Sequence, residues 1–376
     1  MAAPRVYQQL GLRRVINGAA TLTRLGGSLM PPEVLDAMRD AAGSFVQLDE
    51  LQRAVGRRIA ELTGNEAAYV SCGAAAGLVL STAACVAGAD PARIARLPDT
   101  TGMKNEVIVH RSQRNGYDHA IRQVGVRLVE IGMGRSAFAW ELEAAINERT
   151  AAVFYFAGAM AEYALPLPEV VRIAHARGVP VIVDAAAQIP PVSNLWHFTR
   201  ELGCDLAIFS GGKGLCGPQS AGLVLGRADL IAACAVNGAP NHSIGRPMKV
   251  GKEEMVGMLA AVEWSLQRDE PALLADYERQ VAWLIERLQG LPGVSVTRSW
   301  PSEAGQPMPR AHVHLGPAAA VTRDELLARL RAGDPIIEVS PARDGVYVNP
   351  QTLRAGEMEQ IGEAMAAILA PVAARA

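Results

Sequence analysis

The chain has few of the features that mark a secreted, membrane-bound or nucleic-acid-binding protein. Its five cysteines, Cys72, Cys85, Cys204, Cys216 and Cys234, contain no Cys-x-x-Cys pair. An odd, unpatterned set of this kind argues against a disulfide framework or a zinc site and fits a reducing compartment. Neither sign of charge dominates: 36 Lys and Arg stand against 38 Asp and Glu, a formal net charge of −2. Nothing electrostatic therefore draws the chain to a nucleic-acid backbone. No long hydrophobic run is present either. The most apolar window, 73–88, is alanine-rich and shorter than a membrane span, so a buried helix is expected there. The first residues, Met-Ala-Ala-Pro-Arg-Val-Tyr, lack the apolar core of a signal peptide, and a cytoplasmic location is expected. Internal repeats and low-complexity tracts are absent from the sequence.

What is there is a chain of 376 residues, half of them hydrophobic, enough for two or three packed units. Residues 1–50 read as an irregular arm plus one helix, Pro32 to Ala42, with proline in its first turn. Residues 51–255 read as a large domain, entered through an amphipathic helix, Leu48 to Thr63, with Leu51, Val55, Ile59 and Leu62 on one face. Strands are expected at Ala67–Val70, Glu106–His110, Arg127–Ile131, Ala151–Phe156, Val179–Val183, Leu206–Phe209 and Gly222–Leu225, alternating with helices. That alternation predicts a mostly parallel sheet covered by helices, an α/β architecture. Residues 256–290 read as connecting helices, interrupted near Asp269-Glu270-Pro271. Residues 291–376 read as a small α+β domain. Its strands are expected at Val294–Thr297 and Ala311–Leu315, with a helix capped by Thr322 and a hairpin made by 335–339 and 345–348.

The chemistry concentrates around one lysine. Lys213 lies in Gly211-Gly212-Lys213-Gly214, directly after an apolar strand. Glycines free the backbone and clear side chains away, so a ligand can approach closely. Asp184 ends the preceding strand, 29 residues earlier, which is about one strand–helix–strand unit. Upstream, Ser71-Cys72-Gly73-Ala74-Ala75-Ala76-Gly77 joins a strand to a helix. Small residues let amides converge at the helix start, where about half a positive charge suits a phosphate. Ser210 could add a hydroxyl to the same phosphate. Each feature has an ordinary alternative: a surface lysine, a helix-capping aspartate, a small-residue run that permits tight packing. In this order they also form the handles of pyridoxal phosphate. A carboxylate would pair with the ring nitrogen, an amine would form the Schiff base, and a helix start would hold the phosphate.

Several longer segments carry a family likeness. They are Val15-Ile-Asn-Gly-Ala-Ala-Thr-Leu-Thr-Arg24-Leu-Gly-Gly, Glu61-Leu-Thr-Gly-Asn-Glu-Ala-Ala, Val183-Asp184-Ala-Ala-Ala-Gln188-Ile-Pro-Pro, Ser210-Gly-Gly-Lys213-Gly-Leu and Gly245-Arg246-Pro-Met-Lys249-Val-Gly-Lys252-Glu-Glu. In these, over nearly its whole length, the chain resembles the selenocysteine-synthase-like branch of fold type I pyridoxal-phosphate enzymes, especially the D-glucosaminate-6-phosphate ammonia-lyase group. The resemblance implies an aspartate-aminotransferase-like large domain with a small C-terminal α+β domain. It implies a Schiff base on Lys213, a pairing of Asp184 with the pyridinium nitrogen, and a phosphate cradle at Cys72, Gly73, Ala74 and Ala75. Ala186 would pack under the ring and Gln188 would reach its hydroxyl, or else bond a helix terminus. Gln113, Tyr117 and His119 are the candidates to stack on the other ring face, and the family often has a histidine where Gln113 stands.

Anion binding is expected from Arg246, Lys249 and Lys252, three cations within seven residues, and from Arg24 in the arm. The alternative for such a run is a solvated face. In related folds such a loop acts across a dimer interface, so a homodimer or larger homo-oligomer with a shared active site is implied. His312 and His314 alternate on one strand face without a nearby acid in sequence, and are expected to be surface residues with no metal. The implied reaction is α,β-elimination on a small anionic amino acid, with Lys213 as base and acid near Cα and Cβ. Racemisation or retro-aldol cleavage would share the first steps. Selenium transfer onto seryl-tRNA is disfavoured, because the catalytic pattern begins within twenty residues and leaves no room for a preceding tRNA-binding domain. A non-catalytic scaffold is disfavoured by the presence of both Asp184 and Lys213.

Overall fold

The computed structural model describes residues 4–370, and its contacts divide the chain into two units. One is Leu29–Arg268. The other joins the residues up to Ser28 with those from Asp269 onward. The strands in chain order are β1 (Val15–Gly18), β2 (Ala67–Ser71), β3 (Glu106–His110), β4 (Arg127–Ile131), β5 (Thr150–Phe156), β6 (Val181–Asp184), β7 (Leu206–Ser210), β8 (Gly222–Gly226), β9 (Val294–Ser299), β10 (Arg310–Leu315), β11 (Ile336–Pro341) and β12 (Gly345–Val348). Among the described residues no helix is long and apolar enough to cross a membrane.

The larger unit is built on a seven-stranded sheet of order β2-β8-β7-β6-β5-β3-β4. Strands β4, β3, β5, β6 and β7 run parallel, and β8 is antiparallel to both β7 and β2. This is the mostly parallel, helix-covered sheet that the alternation of strands and helices predicts. The strands are apolar on both faces, as a doubly covered sheet requires: every residue of β5 is buried. One face, with Ile182, Ile208 and Val224, packs on the Gly73–Ala87 helix. The other, with Val183, Ala207 and Phe209, meets the Leu48–Thr63, Leu167–His175 and Lys252–Gln267 helices. Because side chains alternate along a strand, Asp184 and Ser210 fall on the same face as Ile182 and Ile208.

The edge of this sheet where the parallel strands begin is held by paired acids. Glu106, at the start of β3, is buried and accepts from Arg127 at 2.7 Å and from Asn147 at 2.9 Å, with Arg149 at 2.6 Å. Asp205, just before β7, accepts from the Val181 amide at 2.7 Å, His175 Nε2 at 2.8 Å and Arg227 at 2.6 Å. These contacts bind two strand starts to the helix and strand ends around them.

The smaller unit is a five-stranded sheet of order β1-β11-β12-β10-β9. Its core includes Ile16, Leu284, Val313, Val346 and Ile361, supplied by the sheet and by the Glu270–Leu288, Arg323–Ala332 and Glu357–Leu369 helices. Two features differ from the expected layout. Residues 15–18 are not irregular: they form β1, which pairs in parallel with β11 from Val15↔Ile336 to Gly18↔Val339. Arg14 adds a buried ion pair with Glu357. The connector 256–290 is also divided. Helix Lys252–Gln267 belongs to the larger unit, and the next helix starts afresh with Asp269 accepting from the Ala272 amide at 2.9 Å and proline in its first turn.

Glu106 offers a test of this paired edge. Burial strips its carboxyl of water and raises its pKa, but the Asn147 bond and the Arg127 and Arg149 charges outweigh that and leave it below the usual range. A depressed carboxyl pKa contributes stability above the unfolded value, about 4.3, which is lost as pH falls through the folded value. Glu106→Gln should therefore cost about 1–3 kcal/mol at pH 7, with the gap to wild type closing below about pH 4. Thermal unfolding of both proteins at the two pH values measures this, and a gap that persists in acid contradicts it.

Candidate active site

The site lies at the edge where the parallel strands end, the edge at which open α/β sheets bind ligands. Asp184 is the last residue of β6, Ser210 the last of β7, and Ser71 the last of β2. Asp184 pairs with Ile208 in the ladder, and Ser210 pairs with Gly222, which also pairs with Ser71. Three strand ends are thus brought side by side. The N-terminus of the Gly73–Ala87 helix starts two residues after Ser71, on the face that carries Asp184 and Ser210.

Close backbone approaches fix these parts. A Cβ on Gly222 would overlap the carbonyl carbon of Gly73 and the amide of Ala74, so only glycine lets β8 run against the helix start. Gly73 has φ +76°, a conformation that glycine adopts without strain. A Cβ on Gly77 would lie 2.8 Å from Ile208 Cγ2, which seats the helix deep on the sheet. Ser71 Oγ donates to the Gly73 carbonyl at 2.9 Å and braces the turn. The first amides of a helix have no intrahelical acceptor, so the Ala74 and Ala75 amides are available to an anion. Cys72 precedes them and is partly buried; loss of water raises its thiol pKa, and the nearby Glu254 charge raises it further.

Lys213 is carried by an equally confined loop. Gly211 donates to the Ala221 carbonyl and Gly217 to the Gly211 carbonyl, both at 2.8 Å. The Cys216 amide closes a turn on the Lys213 carbonyl at 3.0 Å, with Cys216 at φ +54°. Gly214 lies so close to Ile189 that a Cβ would overlap the Ile189 carbonyl oxygen. Leu215 is buried, and its carbonyl accepts from Ser265 in the Lys252–Gln267 helix at 3.3 Å.

The two charges named from the sequence act on each other. Burial pushes the Asp184 carboxyl pKa up; the Ala186 amide, donating at 2.9 Å, and the positive charge of Lys213 pull it down, and burial wins. A carboxylate so stripped of water calls for a further cation. A protonated ring nitrogen is such a cation, and the adjoining helix start suits a phosphate, so the residues present fit pyridoxal phosphate. Lys213, Asp184, Ser210 and the Cys72–Ala75 turn are the groups that could hold it. Ala186 has a part that its sequence did not suggest, since it is its amide that orients the carboxylate. Gln188 is buried, and its backbone is fixed by the Ala185 carbonyl and the Asn194 side chain.

The stacking candidates separate. Gln113 is fully buried and its amide is locked on the end of β5, donating to the Phe156 carbonyl at 3.0 Å and accepting the Phe156 amide at 3.1 Å. That places it one strand from Asp184, whose carbonyl accepts the Ala157 amide. Tyr117 is exposed, and His119 is exposed with its Nδ1 against Arg122. His110, at the end of β3, faces the opposite layer beside Tyr155, and burial pulls its pKa down to about 4.

The four expected anion binders do not form one cluster. Lys252 is half-buried and tied to the Ala41 carbonyl and Glu253, both at 2.5 Å, so it serves the end of the Pro32–Ala42 helix. Arg246 and Lys249 are exposed and line a groove of the larger unit. Arg24, in the smaller unit, meets Glu338 at 3.4 Å, a carboxylate that also binds Arg331. His312 and His314 do have an acid neighbour: Asp344 accepts from one at 3.0 Å and from the other at 2.7 Å, because the β11–β12 turn returns beside β10. The sequence reading also missed Gly222 and Ile189 as the walls of the site. The signal for Gly222 was the glycine that opens the second apolar run; Ile189 had none.

The chain has relatives among known proteins. Residues 97–314 match the family described as aminotransferase class-V. The chain is 36% identical to D-glucosaminate-6-phosphate ammonia lyase of Salmonella typhimurium (strain 14028s / SGSC 2262), over 95% of this chain and 96% of that one. It is also 36% identical to 5'-C-glycyluridine monooxygenase-decarboxylase of a Streptomyces species, over 94% and 86%. A solved structure of D-glucosaminate-6-phosphate ammonia-lyase superposes with a TM-score of 0.85, at 34% identity and 98% coverage of both chains.

Two substitutions test the site. Asp184→Asn removes a charge that burial disfavours. With a raised pKa, the carboxyl's contribution to stability is present below about 3.9 and is lost as pH rises through the folded value. The cofactor-free variant should thus melt at or above the wild-type temperature at pH 8. Its affinity for pyridoxal phosphate should fall about tenfold to a hundredfold, the worth of one hydrogen bond to a charged group. Calorimetry and absorbance titration read the two effects, and a large drop in apo stability would contradict the assignment. Gly214→Ala should displace the lysine loop from Ile189, lowering both the melting temperature and cofactor binding; wild-type values for both would show the contact to be slack.

Proposed function

The chain belongs to the class-V aminotransferase family of fold type I, pyridoxal-phosphate-dependent enzymes, and on that premise we propose that it is a lyase. Its reaction is α,β-elimination on a small anionic substrate, a β-hydroxy amino acid or an amino-sugar acid of the D-glucosaminate 6-phosphate type. The observation that carries this is the mutual action of Asp184 and Lys213 beside the start of the Gly73–Ala87 helix. Bound there, pyridoxal phosphate supplies an electron sink for the charge left at a substrate Cα.

The chain's own groups do the rest. Asp184 keeps the ring nitrogen protonated, and the Ala186 amide keeps Asp184 aimed. The Ala74 and Ala75 amides and Ser210 hold the phosphate. Lys213 Nζ takes the Cα proton and returns a proton to the departing β-hydroxide, which leaves as water. The dehydrated amino acid then exchanges its nitrogen for the oxygen of a water molecule. The products are a 2-keto acid and ammonia, so the atoms of substrate and products balance. Arg246 and Lys249, exposed cations of the larger unit, are proposed to attract the substrate's second anion. In this reading the enzyme works in the cytoplasm as a homodimer or larger homo-oligomer.

Two relatives of equal identity bear different activities in their names, so product analysis decides the reaction. D- and L-β-hydroxy amino acids and amino-sugar acids, with and without a phosphate, should yield stoichiometric keto acid and ammonia. Borohydride should fix the cofactor to Lys213, and Lys213→Ala should abolish both adduct and turnover. Deuterium at Cα with inverted substrate would make the enzyme a racemase, and aldehyde with glycine an aldolase. Oxygen uptake with carbon dioxide release would place it with the decarboxylase.

A further inference from the structure

The last residues of β5 pair with a strand on one side only. The ladder with β3 runs to Ile108↔Val153, whereas β5 continues to Phe156. The ladder with β6 runs to the end and pairs Phe156 with Asp184. Successive residues of a strand turn their backbone groups to opposite sides, so the amide and carbonyl of the buried Phe156 face away from β6. Without partners there, both groups would carry the full cost of losing water.

Gln113 takes the place of the missing strand. Its side-chain Nε2 donates to the Phe156 carbonyl at 3.0 Å, and its Oε1 accepts the Phe156 amide at 3.1 Å. A primary amide presents a donor and an acceptor side by side, as the edge of a strand does. Asn115 braces the turn that carries Gln113, donating to its backbone carbonyl at 2.9 Å. Gln113 is 0% exposed, so protein atoms cover both faces of its amide and leave none for a flat ring to lie on. The bonds continue beyond Phe156. The Ala157 amide donates to the Asp184 carbonyl at 3.0 Å, on the β5 side, and the Ala185 amide to the Ile208 carbonyl at 2.9 Å, on the β7 side. Asp184 is therefore held between two neighbours, and Gln113 fixes one of them.

We infer that Gln113 is a positioning residue: it clamps the end of β5 and, through β5, sets Asp184 for the ring nitrogen without touching the ring. The inference rests on the pyridoxal-phosphate reading for the ring, while the clamp stands on the chain's own hydrogen bonds.

Two variants of the full-length protein test this. Gln113→Leu keeps much of the side chain's bulk and removes both bonds to Phe156. Gln113→His offers a flat ring that could stack, but its donor and acceptor lie on opposite sides of that ring and cannot both reach Phe156. Hydrogen exchange of the cofactor-free proteins, read by mass spectrometry, should be about tenfold faster than wild type at residues 154–158 and 184–187, the scale of a lost buried hydrogen bond. Residues 222–225, in β8, should be unchanged. Wild-type exchange at either of the first two segments, in either variant, would overturn the inference. A second readout uses nitrogen-15-labelled pyridoxal phosphate bound to each protein. In both variants the ring-nitrogen resonance should move toward that of neutral pyridine, because a loosened Asp184 holds the ring proton less firmly. Loss of a stacking contact would not cause that shift, so an unmoved resonance would equally overturn the inference. If wild type itself bound no pyridoxal phosphate, the functional reading would fail, and exchange at 154–158 and 184–187 would still decide the clamp.

Discussion

A carboxylate that has lost its water governs this protein. Asp184 ends β6 with one backbone amide and one lysine charge to offset burial, and those are not enough to bring its pKa back to the ordinary value. A buried charge in this state is costly, and the cost is relieved when a cation arrives. The rest of the larger unit can be understood as the means of holding that carboxylate where a ligand's positive charge will meet it. The parallel sheet sets Asp184, Ser210 and Ser71 on one edge. The helix that starts at Gly73 offers the complementary site for a negative group on the same face. Positive ring nitrogen and negative phosphate belong to one molecule, so the proposed binding of pyridoxal phosphate would meet both local demands together.

The spacing between those demands depends on places where no side chain fits. Gly222 lets β8 touch the helix start, Gly77 lets the helix sink onto Ile208 and Val224, and Gly214 lets the lysine loop lie on Ile189. The Gly222 and Gly214 contacts are backbone distances, which a rotamer change does not adjust, and the Gly77 contact is with the branched, buried side chains of Ile208 and Val224. The arrangement is therefore stiff, as a site must be if its amides are to point at a fixed position before the ligand arrives.

The same physical distinctions explain what the sequence could and could not tell. The strands from Ala67 to Gly226 and most of the helices between them were legible because these elements announce themselves locally, through apolar runs, proline starts and glycine ends, whereas the Pro91–Arg96 and Ala228–Asn237 helices were not read. The positions of Asp184 and Lys213 were legible because one ends a strand and the other follows one directly. The partner of β1 was not: Val15–Gly18 finds β11 more than 300 residues away, and no local pattern encodes a parallel pairing at that distance. Asp344 beside His312 and His314 was hidden for the same reason, since the acid lies in the turn after β11. The run Arg246, Lys249 and Lys252 looked like one cationic cluster because its members are close in sequence. The start of a helix at Lys252 turns that residue toward Ala41 and Glu253, while the other two stay in the groove. Gln113 was placed by its position after β3, but its bonds to Phe156 come from a neighbouring strand and could not be inferred.

The two edges of the large sheet bring these strands of argument together. Where the parallel strands begin, Glu106 and Asp205 are buried acids that each gather several donors, so their charge is satisfied within the chain. Where the strands end, Asp184 is also stripped of water yet is left with a deficit. Fold stability alone would favour the first arrangement at both edges, because an unsatisfied buried charge only subtracts from it. The chain keeps the second at one edge, next to Lys213 and a helix start, where, on the proposed reading, the deficit would become affinity for a cationic ring. The asymmetry between Glu106 and Asp205 at one edge and the partly buried Asp184 at the other is thus what the proposed division between structural and chemical roles rests on.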